Sequence, residues 1–66
     1  MKIELNGETV ELAEGASVAE AVHVAGAAER GVAVAVDGEV VPRGEWDTSA
    51  LREGQHVEVL QAVAGG

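Results

Sequence analysis

The chain of 66 residues contains no cysteine, which excludes a disulfide framework, a thiolate nucleophile and a cysteine-ligated zinc site. A cysteine-free chain suits a reducing compartment, and we expect the protein in the cytoplasm. No apolar run approaches the roughly 20 residues that a membrane helix needs, so no membrane partner is expected. Residues 1–4 lead directly into an alternating pattern rather than a signal peptide.

Basic residues are also scarce, since four Lys and Arg stand against twelve Asp and Glu for a net charge of −8. Nucleic-acid binding is therefore not expected, because phosphates bind Lys and Arg. The acidic residues are spread along the chain, which favours a role in solubility, with docking onto a basic partner as the alternative. A single domain of this size is too small for a deep catalytic cleft.

The first predicted element is a β-hairpin over residues 2–12, where polar and apolar residues alternate. Asn6-Gly7 is a strong signal for its turn, because both turn positions need positive φ. The side chains expected to face the core are Ile3, Leu5, Val10 and Leu12.

A helix is predicted over residues 18–29. Ser17 and Glu20 have the spacing of an N-terminal capping box, and Gly31 is a suitable C-terminal stop. The residues expected on its core face are Val18, Ala21, Val22, Ala25 and Ala28.

Three more strands are expected after the helix. Residues 32–36 form an apolar run, Asp37-Gly38 predicts a second tight turn, and Pro42 ends the short returning strand. Residues 56–61 form the last strand. Trp46 is expected to pack a loop onto the body, and a short helical turn capped by Asp47, Thr48 or Ser49 is predicted to extend through Leu51.

This order predicts an α+β, β-grasp (ubiquitin-like) fold, with a mixed four- to five-stranded sheet and one helix on one face. The first and last strands would lie parallel at the sheet centre. We expect a domain over residues 1–62 and a flexible tail over 63–66. If Val57 and Val59 face the core, period two places Leu60 and Ala62 on the open face as partner-docking residues.

The tail Val63-Ala64-Gly65-Gly66 has no charge and no bulky side chain. Glycine lets an extended backbone enter a narrow partner channel, and the carboxylate of Gly66 would be unhindered. A carboxylate is a poor electrophile until another enzyme activates it. The alternative is a frayed end without function. Elsewhere we find no catalytic constellation, and His23 and His56 are better explained as surface residues than as metal ligands.

Several segments together resemble the ThiS family, the ubiquitin-like sulfur carriers of bacterial thiamin thiazole synthesis. They are Val41-Pro42-Arg43, Trp46, Gly54, the strand that includes Gln61, and the tail ending in Gly65-Gly66. The likeness covers the whole chain, although Leu60 stands where an aromatic residue is frequent in such carriers.

The resemblance implies a protein cosubstrate rather than an enzyme, with no bound cofactor. An E1-like adenylyltransferase would use ATP to adenylate Gly66, and a cysteine desulfurase or other sulfur donor would convert the adenylate to a thiocarboxylate. Thiazole synthase would then take the sulfur. The alternatives are a molybdopterin-synthase small subunit, a thiocarboxylate carrier of another pathway, and a β-grasp interaction module with an inert tail.

Overall fold

The computed structural model describes residues 1–27 and 31–61. The elements in chain order are β1 (Lys2–Leu5), β2 (Glu8–Glu11), α1 (Val18–Val24), β3 (Val32–Val36), β4 (Glu39–Val40), a 3-10 turn (Arg43–Glu45) and β5 (His56–Gln61). The strands form one sheet in the order β2-β1-β5-β3-β4. β1 and β5 are parallel neighbours, and the other neighbouring pairs are antiparallel. The predicted α+β fold with its central parallel pair is confirmed.

Both predicted tight turns have the expected backbone. Asn6 and Asp37 each have φ of 50°, and the glycine after each has φ of 85°. Positive φ at both central positions matches the right-handed twist of the flanking strands, which is why Asx-Gly pairs suit two-residue hairpins. The two turns therefore fix the register of β1 with β2 and of β3 with β4.

Helix α1 begins as predicted and ends earlier than predicted. The Ser17 hydroxyl accepts a hydrogen bond from the Glu20 N–H at 3.4 Å, as an N-cap residue does. At the other end Gly26 has φ of 71°, and its N–H bonds to the carbonyl of His23. The prediction of a helix to residue 29 with Gly31 as its stop was wrong, because Gly26 already takes the left-handed conformation that ends a helix.

The early end of α1 changes the burial of the residues around it. Ala25, predicted to face the core, is exposed. Ala27, which follows the end of the helix, is partly buried against the core. Ala28 lies outside the described residues.

The core lies between α1 and one face of the sheet. Its buried apolar residues are Ile3, Leu5, Leu12, Ala16, Val18, Ala21, Val22, Val34, Trp46, Leu51, Val57 and Val59. Val10, the remaining hairpin residue predicted to face inward, is partly buried against this cluster. The alternation in the sequence therefore identified the core face of the hairpin correctly.

Trp46 packs its loop onto the body as predicted. Its side chain is 8% exposed, and its indole Nε1–H donates to the carbonyl of Val41 at 2.9 Å. The Arg43 guanidinium lies 5.6 Å from the ring centroid, within the range of a cation–π contact. The indole thus ties the segment after β4 to the core.

The short helical turn lies before Trp46, at Arg43–Glu45, and not at residues 47–51 as predicted. Residues 49–51 are extended because they pair with the entry to α1. The N–H of Val18 donates to the carbonyl of Ser49, and the N–H of Leu51 donates to the carbonyl of Ala16. These tertiary hydrogen bonds override the local capping signal.

Asp37 holds the start of β5 through its side chain. Oδ1 accepts from the backbone N–H of His56 at 2.9 Å, and Oδ2 accepts from Nε2 of Gln55 at 3.2 Å. The hydrogen bond from the His56 N–H favours the ionised carboxylate and lowers the pKa of Asp37 below its ordinary value. Because the pKa of Asp37 is lower in the folded state, the ionised carboxylate stabilises the fold.

We expect Trp46→Phe to lower the free energy of unfolding by about 1–3 kcal/mol, because buried volume is lost and the Val41 carbonyl loses its donor. Urea denaturation followed by far-UV circular dichroism measures this change. Val24→Ala, at an exposed position of α1, is the control and should stay within about 0.5 kcal/mol of the wild type. Equal stabilities of the two variants would contradict the role given to the indole.

We expect Asp37→Asn to alter the acid limb of the stability curve. Because the folded-state pKa of Asp37 is lowered, its contribution is present above the ordinary carboxyl pKa of about 3.9 and is lost as the pH falls through the lower folded value. The difference in free energy of unfolding between wild type and variant should be constant above about pH 5. Below about pH 4 the wild type should lose stability relative to the variant. Urea titrations at a series of pH values, read by Trp46 fluorescence, test this; parallel curves down to about pH 2 would refute it.

Candidate functional site

The last described strand, β5, leads to the predicted reactive tail. Gly66, the predicted modification site, lies outside the described residues, as do Val63, Ala64 and Gly65, predicted to enter a partner, and Ala62, predicted to dock. The predicted domain boundary between residues 62 and 63 lies there as well. These assignments stay predictions, while the path of β5 toward them is described to Gln61.

β5 is the central strand of the sheet, with β1 on one side and β3 on the other. Val57 and Val59 are 1% and 7% exposed, whereas Leu60 is 63% exposed. The alternation expected from period two is therefore present, and Leu60 lies on the face of the sheet opposite the core. This is where the sequence placed it.

Leu60 belongs to a larger apolar surface that the register of the sheet creates. Leu60 lies opposite Ala33 on β3, and Ala35 of the same strand lies opposite Val40 on β4. Directly paired residues of antiparallel strands share one face. We call these four residues, Leu60, Ala33, Ala35 and Val40, the open-face patch.

Of the open-face patch, the sequence predicted only Leu60; Val40 has the largest side chain of the three members that it missed. Val40 is 74% exposed, and it lies on β4, a two-residue strand at the edge of the sheet. Its location beside the strand of Ala35 depends on the tight turn at Asp37-Gly38 and on the pairing register. The sequence signal for Val40 was therefore the Asp37-Gly38 turn, because a two-residue turn brings Val40 opposite Ala35.

The rest of the open face is polar and largely acidic. Glu58 lies opposite Ala35, beside the patch. Glu4 lies on β1, opposite His56 of β5. The Nε2 of His56 is 3.8 Å from a carboxylate oxygen of Glu4, and both side chains are well exposed. An apolar patch bordered by acids is complementary to an apolar surface bordered by basic residues.

The polar side chains of the described residues lie at the surface of the domain. Within residues 1–27 and 31–61 no polar or charged side chain is buried, and no group of three His, Asp or Glu is placed to hold a metal ion. His23 lies on α1, on the core side of the sheet, while His56 lies on the open face, so the sheet separates them. Ser17 serves as the helix cap, and a Glu53 oxygen accepts from the Lys2 N–H.

Helix α1 has seven residues, and nowhere in the described chain is a helix long and apolar enough to cross a bilayer.

Comparison with known proteins gives a consistent family. A model described as the ThiS family matches residues 3–66. The chain is 29% identical to the sulfur carrier protein ThiS of Escherichia coli (strain K12) over 66 residues, which is the full length of both chains.

Two solved structures of a thiamine biosynthesis protein from Geobacter metallireducens have the same fold. The crystal structure of that protein, named ThiS, gives a TM-score of 0.80 at 30% identity, with both chains covered completely. The solution structure gives a TM-score of 0.80 at 33% identity, covering 100% of this chain and 88% of the other.

The family match reaches Gly66, the curated relative is covered from end to end, and the β-grasp fold is shared with solved ThiS structures. The chain therefore belongs to the ThiS family of small sulfur carrier proteins.

Proposed function

We propose that this chain carries sulfur as a thiocarboxylate on Gly66 and donates it for the thiazole ring of thiamin. The observation that carries the proposal is the extent of the family match, which continues through the Gly-Gly end to residue 66. The complete coverage of a relative named as a sulfur carrier supports it. The lack of any buried polar group in the described residues also supports it, since the chemistry is then left to the tail and to partner enzymes.

The first step is activation of the terminal carboxylate by an E1-like adenylyltransferase. A carboxylate oxygen of Gly66 attacks the α-phosphorus of ATP, and the bond to the β-phosphate breaks to release pyrophosphate. The product is an acyl adenylate, in which AMP is a good leaving group. ATP belongs to the partner's site, and this chain supplies an acyl carbon that no side chain shields, because Gly66 has no Cβ.

The second step replaces one oxygen by sulfur. The terminal sulfur of a persulfide, held by a cysteine desulfurase or another donor, attacks the acyl carbon and expels AMP. A thiol then cleaves the resulting acyl disulfide, forming a new disulfide with the donor's sulfur and leaving the thiocarboxylate on Gly66. Thiazole synthase takes that sulfur, and the chain returns as a carboxylate. The ATP requirement of the adenylyltransferase and the cysteine-free sequence agree with a cytoplasmic location.

The open-face patch is proposed as the docking surface for the adenylyltransferase. Leu60 and Val40 expose apolar surface on the same side of the sheet, and Leu60 is one residue before the last described position of the chain. A partner seated on this patch would therefore lie next to the point where the tail begins. The neighbouring Glu58 and the net charge of −8 favour a partner surface with basic residues.

The central test is intact-protein mass spectrometry after incubation with ATP, the cognate adenylyltransferase and a sulfur donor. We expect one oxygen of the full-length chain to be replaced by sulfur, with the change localised to the C-terminal fragment. A chain lacking Gly66 should not be converted, and its thermal unfolding should match the wild type. Equal conversion of the shortened chain, or no conversion of the full chain by an enzyme shown to be active, would refute the proposal.

Leu60→Asp should weaken binding to the adenylyltransferase at least about tenfold, because a charge replaces an apolar side chain that contacts the partner. Isothermal titration calorimetry measures the dissociation constant. Val24→Asp is the matched control, since it makes the same change at an exposed position on the helix side of the domain. Both variants should remain folded by circular dichroism, and equal affinities for them would remove Leu60 from the docking surface.

A further inference from the structure

The side chain of Asn6 reaches across to β5 and bonds to both polar backbone groups of one residue. Its Oδ1 accepts from the N–H of Val59 at 2.8 Å, and its Nδ2 donates to the carbonyl of Val59 at 3.2 Å. Its own backbone N–H donates to the carbonyl of Val57 at 2.9 Å. Asn6 thus makes three hydrogen bonds to the last strand, besides occupying the first position of a tight turn.

These contacts extend a strand pairing that the turn would otherwise end. The parallel pairing of β1 with β5 stops at Leu5 and Val57, because the chain turns away at Asn6-Gly7. β5 continues to Gln61, and on its other side it pairs with β3 from Val57 to that last position. A primary amide has the donor and the acceptor of a peptide group, so the Asn6 side chain takes the place of the next peptide of β1.

The Asn6 side chain bonds backbone groups of Val59 that point toward β1. Successive residues of a strand point their N–H and C=O groups alternately to the two neighbouring strands. His56 bonds toward β3, through the N–H of Asp37, and Val57 bonds toward β1. Val59 therefore also points toward β1, where the backbone of β1 has ended and the Asn6 amide meets it.

At the other hairpin turn, Asp37 holds the start of β5 through similar hydrogen bonds. The N–H of Asp37 donates to the carbonyl of His56 at 2.8 Å, and Oδ1 of Asp37 accepts from the N–H of His56. The central strand is thus held at its start by Asp37 and toward its end by Asn6. The two sites differ in their neighbours, because Leu60 and Gln61, the last described residue, lie next to the Asn6 site only.

We infer that Asn6 is a positioning residue for the carrier reaction. It acts through Val59: by fixing the backbone there, it sets the orientation of Leu60 on the open face and the point from which the chain leaves the sheet. The inference rests on the proposed function. Gly66 is the seventh residue after Val59, and seven residues in extended form span at most about 25 Å. A docked partner receives Gly66 in its active site only if that span begins at a defined place.

The test compares Asn6→Gly with Asp37→Gly. Both positions have φ of 50°, which glycine adopts freely, so each variant keeps its turn and loses only the side-chain bonds to β5. We expect the Val59 amide of Asn6→Gly to exchange with solvent about tenfold faster relative to the Val41 amide, because its acceptor is gone. In Asp37→Gly the His56 amide should be affected, and Val59 should stay protected.

The kinetic arm measures transfer of AMP to each chain by the adenylyltransferase, at a temperature where both variants are folded. We expect kcat/KM for Asn6→Gly to fall about fivefold or more, and that for Asp37→Gly to stay within about twofold of the wild type, since only the former loosens the exit of the chain. Asn6→Asp, which keeps an acceptor for Val59, should restore the protection of that amide and part of the lost rate.

The outcomes separate the two claims. A wild-type chain that receives no AMP refutes the proposed function, whatever the exchange data show. If the wild type reacts, then unchanged exchange at Val59 in Asn6→Gly, or equal losses of rate in the two glycine variants, overturns the positioning role of Asn6. Equal losses would assign the effect to general stability, which the Asp37 control shares.

Discussion

The parallel pairing of β1 with β5 is the contact on which the rest of the structure depends. It joins the two ends of the domain: the N–H of Glu4 donates to the carbonyl of Gln55, and the N–H of Gly54 donates to the carbonyl of Lys2. Such a pairing closes a loop of roughly fifty residues, whose entropic cost must be offset by burial. The core between the sheet and α1 supplies that burial, and the result is a last strand flanked on both sides. The last described strand therefore lies at the centre of the sheet rather than at an edge.

Local signals predicted the parts of this fold that local physics decides. The Asx-Gly turns, the alternation in the first hairpin and the Ser17 cap depend on residues close in sequence, and all were correct. The end of α1 was not, because Gly26 and Gly31 both suit a left-handed stop and both take positive φ. Periodicity past Gly26 suggested a longer helix. Residues 49–51 were misassigned for a related reason, since their conformation is fixed by hydrogen bonds to the entry of α1, far away in sequence.

The candidate site divides in the same way. Leu60 could be placed on the open face from period two alone, because one strand suffices for that argument. The contribution of Val40 required the register of β4 on β3 and of β3 on β5, which no single segment contains. Asn6 was read correctly as a turn residue, and its bonds to Val59 were invisible because the turn signal already explained the residue. A residue whose local role in a turn is evident from the sequence can thus also make tertiary hydrogen bonds that the sequence does not indicate.

The composition of the described core agrees with the proposed function, in which partner enzymes supply the catalytic groups. A side chain that performs catalysis needs a desolvated or paired environment, and the core described here is built from apolar residues alone. The residues that α1 buries in this core, Val18, Ala21 and Val22, all have small side chains. Under the proposed function, the fold contributes geometry: an open face for a partner to recognise, and a central strand whose backbone is held by Asp37 and Asn6. Under that function, the residue that matters to the reaction without touching it is Asn6, which bonds to β5 beside Leu60, whereas Asp37 holds only the start of the strand.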